Sequence, residues 1–153
     1  MAVNTNWVYL QTVYGLIRSL HGGANTAWLI QGLATLATVV IVWTVWQSRV
    51  RYPLKAATLS AAALIATPYA FAYDIAAIVI PAAFLATDQL RRGLLCGDKA
   101  IWIILFGAPL AVLVKLGDDA AGLTFGGTPV GLLTVIALFG VILRRARQPA
   151  AFA

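Results

Sequence analysis

The 153-residue chain has no glutamate, one cysteine (Cys96), one histidine (His21) and one methionine, and only 10% of its residues are charged. A soluble domain carries about 25% charged residues, so this shortage excludes an ordinary soluble globular fold. Disorder needs low hydrophobicity and high charge, and it is excluded as well. A single cysteine cannot form an intramolecular disulfide and leaves the redox compartment unread. One histidine without a cysteine cluster excludes the usual zinc ligand sets, so no metal site is expected. The first ten residues lack the basic stretch and apolar core of a signal peptide. Gly126-Gly127 precedes an apolar run but lacks the lysine of a phosphate-binding loop, and no Ser/His/Asp arrangement or internal repeat stands out.

What is present is apolar. Hydrophobic residues make up 61% of the chain, and the mean hydropathy is +0.88. The composition predicts an all-α membrane protein. Eleven Lys and Arg stand against five acids, all Asp, for a formal charge of +6. The cations flank apolar runs, so they read as topology determinants and contacts to anionic lipid; no nucleic-acid partner is expected.

A transmembrane helix needs about 20 mostly apolar residues. Runs of that kind predict spans over 26–46, 100–116 and 123–143. The stretch 56–87 is harder, because its 32 residues are too many for one crossing and few for two. Extended to its flanking cations, it fits a tight two-helix hairpin with spans over 54–69 and 73–90. The positive-inside rule supports this count of about five spans. With five, Arg49, Arg51 and Lys55 share a side with Arg91, Arg92 and Lys99 and with Arg144, Arg145 and Arg147, leaving only Arg18 and Lys115 opposite. The expected topology is a multi-pass membrane protein, N-terminus outside and C-terminus cytoplasmic. Residues 1–23 read as an external amphipathic helix with Trp7, Leu10, Tyr14, Ile17 and His21 on one stripe and Gln11, Arg18 and Ser19 off it. Gly22-Gly23 is the expected stop; packing of this helix on other protein is the alternative. Residues 24–147 form the transmembrane region, and 148–153 a cytoplasmic tail.

The hairpin tip, 67–74, places Pro68 where a helix must break and Asp74 at or just below the outer surface. An ionisable residue there is a functional candidate; capping of the next helix is the other reading. Tyr69 and Tyr73 offer hydroxyls and flat faces to a sugar or a polyprenyl chain, or serve as interface anchors. Arg18 suits an external phosphate or a lipid phosphate, and His21 an acid–base role or a structural one. Asp118-Asp119 reads as a solvated loop pair or a paired-acid site, and Cys96 as inert or lipid-modified.

Several of these residues carry a resemblance. The run Leu10 to Leu20 (LQTVYGLIRSL), Gly22-Gly23, a span, a basic turn, and Leu64-Ile65-Ala66-Thr67-Pro68-Tyr69 through Tyr73-Asp74 resemble the C-terminal part of bacterial glycosyltransferase family 87, in the GT-C superfamily. The resemblance implies a polyprenyl-phosphate sugar, typically mannose, as donor substrate and no cofactor. It implies transfer on the extracytoplasmic face to a glycolipid or glycan acceptor. It places Tyr73 and Asp74, where some relatives carry two His, toward the donor phosphate or the acceptor, and the protein in a bacterial inner membrane; Tyr69, Arg18 and His21 join them as substrate-binding candidates from the residue reading above. The family's catalytic base is an Asp in an N-terminal external loop that these residues do not contain. The chain is therefore expected to act as a C-terminal portion, to have no catalytic residue of its own, to be inactive alone, and to work with the missing N-terminal half. The alternative is a small non-catalytic transport or assembly subunit. Transport is disfavoured because the first span offers only Gln31, Thr35, Thr38 and Thr44 as polar residues and the last two spans show no buried acid.

Overall fold

Local chemistry sets the helix ends in the computed structural model, which describes residues 10–95, 98–115, 124–125 and 128–148. Helix α1 (Val13–Ser19) begins where the extended Thr12 accepts a 3.0 Å bond from the Gly15 N–H. It ends in a Schellman turn: Gly22 N–H reaches Ile17 O at 2.9 Å and His21 N–H reaches Arg18 O at 3.2 Å. The left-handed residue of that turn is His21, at φ 62°, so the expected glycine stop is displaced by one position. Gly22 is still required, because a Cβ there would lie 2.5 Å from Ile17 Cγ2.

Helix α2 (Ala24–Gln47) has 24 residues, about 36 Å of helix. Among the described residues it is the helix long and apolar enough to cross a membrane. It corresponds to the span expected over 26–46. Helix α3 (Tyr52–Ala66) is shorter and carries Pro53 in its first turn, where no N–H is needed. It stops at Thr67, before Pro68. After an irregular stretch the chain forms a 3-10 turn (Ala72–Ile78) that runs into α4 (Val79–Arg92). Gly93, at φ 79°, ends α4. Helix α5 (Asp98–Lys115) and a two-stranded antiparallel ladder, β1 (Thr124–Phe125) with β2 (Thr128–Pro129), lead into α6 (Val130–Ala146). The last helix thus starts at Val130 rather than near 123, because Pro129 and the ladder occupy its expected first turns.

Helix α3 is the hub: it packs against α2, α4 and α6, while α1 lies on α2 and α5 lies on α6. Its inward residues Ala57, Ala61 and Ala62 are small and let the neighbouring backbones approach. Leu54, Ile65, Leu85, Val135, Leu138 and Ile142 fill the centre. The outside is equally apolar. Leu29, Leu33, Leu36, Val39 and Trp43 on α2, and Ile103 and Phe106 on α5, are all more than half exposed. A soluble monomer rarely leaves that much contiguous apolar surface uncovered.

The segment expected as a surface helix over 1–23 is helical only over Val13–Ser19 among the described residues, and it is packed rather than laid open. Leu10 and Tyr14 are buried, and so is Gln11, which the stripe pattern puts on the polar side. Residues 1–9, including Trp7, lie outside the described residues.

Candidate functional site

The break after α3 strips carbonyls of their helical partners, and a buried carbonyl without a donor is costly. Three side chains and one backbone group meet that need. Gln31 of α2 donates from Nε2 to Ile65 O at 3.1 Å and Ala66 O at 3.2 Å. Thr35 Oγ1 lies 3.3 Å from Ala66 O and 2.9 Å from Gln31 O. Thr12 Oγ1 donates to Pro68 O at 3.0 Å, and Gln11 N–H donates to Ala70 O at 2.8 Å. Leu10 and Phe71 form an antiparallel bridge beside them. Gln31 Oε1 in turn accepts from Tyr14 N–H at 3.0 Å, and Gln11 Oε1 accepts from Gly131 N–H, in the first turn of α6, at 2.9 Å. One irregular segment is therefore fastened to α2 and to the residues just before α1, whose Gln11 side chain also holds the start of α6.

Asp74 sits on the far side of this segment. Its Oδ2 accepts from Phe71 N–H at 2.8 Å, and its own N–H donates to Phe71 O at 3.0 Å, which caps the 3-10 turn. It also lines, with Leu64, Thr67, Ala70 and Ala77, an open cavity of about 460 Å³. Capping and exposure to a ligand are thus compatible: Asp74 Oδ1 remains as a polar group on a mostly apolar wall, while the Thr67 hydroxyl donates back to Ala63 O at 2.8 Å and keeps only its acceptor capacity. Tyr69 is half exposed, with its ring 5.7 Å from Tyr14 and 5.8 Å from Trp28, and these two rings are themselves 5.1 Å apart. The three aromatics tie the break to α1 and α2. The backbone of Tyr73 belongs to the 3-10 turn; its side chain lies outside the described part of the residue.

Arg18 and the backbone of His21 close the C-terminal end of α1. Arg18 Nη1 donates to Gly22 O at 2.8 Å, so the cation closes the end of α1 where the helix dipole is negative. His21 is exposed and fixed by its left-handed backbone.

At the opposite end of α3 the sequence reading missed a second polar cluster. Asp88 and Asp98 are buried, and three arginines converge on them. Arg51 Nη1 donates to Asp88 Oδ1 at 2.6 Å, and Arg145 Nε donates to Asp88 Oδ2 at 3.0 Å. Arg145 Nη1 pairs with Asp98 Oδ2, Arg145 Nη2 reaches Gly93 O at 3.0 Å, and Arg144 Nη2 reaches Asp98 Oδ1 at 2.7 Å. Desolvation pushes the Arg51 guanidinium below the usual arginine range; Asp88 opposes that shift, while Arg92 and Arg145 add to it. Reading these cations as topology flanks hides the fact that three of them pair with two buried carboxylates. The only foreshadowing in the sequence is an Asp among each of the basic groups 88–92 and 98–99.

No family model, curated protein or solved structure matches this chain. The site is therefore judged on its own geometry. No group of three or more His, Cys, Asp or Glu that could hold a metal occurs among the described residues. Cys96, Asp118, Asp119, Gly126 and Gly127 lie outside the described residues.

Proposed function

We propose that the chain is a multi-pass membrane module that presents the Thr67–Asp74 break to a lipid-linked sugar on the extracytoplasmic side. The observation that carries this reading is the break itself. Irregular backbone at membrane depth is tolerated only where protein or a water-filled cavity satisfies it, and here buried Gln and Thr groups do so. Helix α3 has 15 residues, about 22 Å, against about 30 Å for a full crossing. In a bilayer the break would lie below the surface, with Asp74 and Thr67 at the edge of the hydrocarbon region. A carboxylate held there accepts hydroxyl protons of a sugar more strongly than it would in water. By resemblance the donor is a polyprenyl-phosphate hexose such as mannose, the acceptor is a glycolipid or glycan, and the general base comes from another polypeptide segment.

One observation favours a second reading, a non-catalytic membrane subunit. Asp74 already caps the 3-10 turn, and Asp88 and Asp98, also among the described residues, are paired with arginine.

The test is photo-crosslinking of a polyprenyl-phosphate hexose probe to the purified chain. Labelling confined to the peptide bearing 67–74, weakened about tenfold by Asp74→Asn, supports the first reading. Labelling spread over the apolar surface, and indifferent to that change, supports the second.

A further inference from the structure

Helices α2 and α3 diverge to leave an apolar groove of about 690 Å³, lined by Val39, Val42, Trp43 and Trp46 on one side and Leu59 and Ala63 on the other. Its far end reaches Ala66, and its near end reaches Gln47, beside the four-residue turn that joins the helices. That turn contains Arg49, which is exposed. Lys55, on the first turns of α3, places Nζ 3.0 Å from Trp46 O, at the rim. An ammonium has three donors, so this bond leaves two.

Charge separates these two cations from their neighbours. Arg51, Arg144 and Arg145 are held by Asp88 and Asp98. Arg49 and Lys55 have no acidic partner among the described residues. The groove thus joins an apolar trough of about 690 Å³ to two positive charges without acidic partners near one mouth, with Trp46 at the rim, where indole favours a membrane interface.

We propose that this groove binds an anionic glycerophospholipid, one acyl chain along Ala63 and Val39 and the headgroup phosphate facing Arg49 and Lys55. The inference rests on the multi-pass membrane reading but not on sugar transfer. The mouth is at the opposite end of α3 from Asp74, so this lipid is not a donor in its reacting position. Basic pockets between spans on the cytoplasmic side are suited to anionic lipid, at roughly fivefold in affinity per cation.

The experiment is native mass spectrometry of the detergent-purified chain with equimolar phosphatidylglycerol and phosphatidylcholine. The expected result is one bound lipid, with phosphatidylglycerol preferred by about tenfold or more. In Arg49→Gln/Lys55→Gln the preference falls to near unity. In Ala63→Phe, which fills the groove from its exposed wall, retention of both lipids drops. Equal retention of the two lipids overturns the proposal, as does an unchanged preference in the double variant. Dimer masses without lipid also overturn it, since a second copy would then cover the groove. Alkaline carbonate extraction of membranes separates this failure from failure of the membrane reading: a chain that stays in the pellet yet shows no preference refutes only the lipid site.

Discussion

Arg145 and Asp88, 57 residues apart, meet through a 3.0 Å bond between Nε and Oδ2, with each side chain no more than 3% exposed. The bond ties the last turn of α6 to α4. The other guanidinium nitrogens tie it to Asp98 at the start of α5 and to Gly93 O after α4. Three arginines on two carboxylates leave the cluster one positive charge in excess, and that excess stands at the end of the molecule where Arg49, Arg91 and Arg147 also lie.

Removing one member of such a pair strands the other. Arg145→Gln is expected to lower stability by about 3–5 kcal/mol. Arg145→Lys is expected to recover little, because one ammonium cannot match a fork that serves two carboxylates and a carbonyl. Thermal unfolding in detergent, followed by far-ultraviolet circular dichroism, reads both. A Lys variant as stable as the parent would contradict the geometry.

Gln31 serves three backbone groups at once. Gln31→Leu keeps much of the side-chain volume but deprives Tyr14 N–H, Ile65 O and Ala66 O of this partner. Loss of roughly 2–4 kcal/mol is expected, with faster hydrogen exchange at Tyr14. Exchange that stays slow there would show that Gln31 does not carry the contact.

The end of α1 predicts opposite effects at adjacent positions. His21→Gly relieves a left-handed backbone and is expected to stabilise by about 1 kcal/mol. Gly22→Ala sets a Cβ 2.5 Å from Ile17 Cγ2 and 2.8 Å from Ile17 O, and is expected to destabilise. Melting temperatures of the two variants shifting in the same direction would contradict the assigned turn.

These residues show what was legible in the sequence. Helix α2 could be read because an apolar run lies between Gly23 and Gln47, and the end of α3 could be read from Pro68; the second helix of the expected hairpin, over 73–90, is instead a 3-10 turn over Ala72–Ile78 followed by α4 from Val79. Helicity as a class followed from the same apolar runs. The fastening of the break could not be read, since Gln11 finds Gly131 at a separation of 120 residues and Gln31 finds Ile65 at 34. Periodicity reports which face a residue occupies and not which partner it meets. The buried ion cluster was hidden for a related reason: a rule that counts cations beside apolar runs is blind to acids that neutralise them. At the candidate site, the break and Asp74 were visible through Pro68 and an isolated charge. The engagement of Arg18 and His21 in closing α1 depends on backbone geometry that residue identity does not disclose.

Asp74 is proposed to serve a sugar-transfer site and not the fold alone. Asp74→Asn separates the two, because an amide oxygen still accepts from Phe71 N–H while the charge is gone; Asp74→Ala removes both, at about 1 kcal/mol for the cap. The measurement is transfer of labelled hexose from its polyprenyl phosphate to lipid-extractable or glycan product in native membranes carrying each variant at equal abundance. The account predicts that Asp74→Asn lowers turnover at least tenfold with the melting temperature unchanged. Full turnover with Asn, or no chain-dependent transfer in the parent membranes, would contradict it.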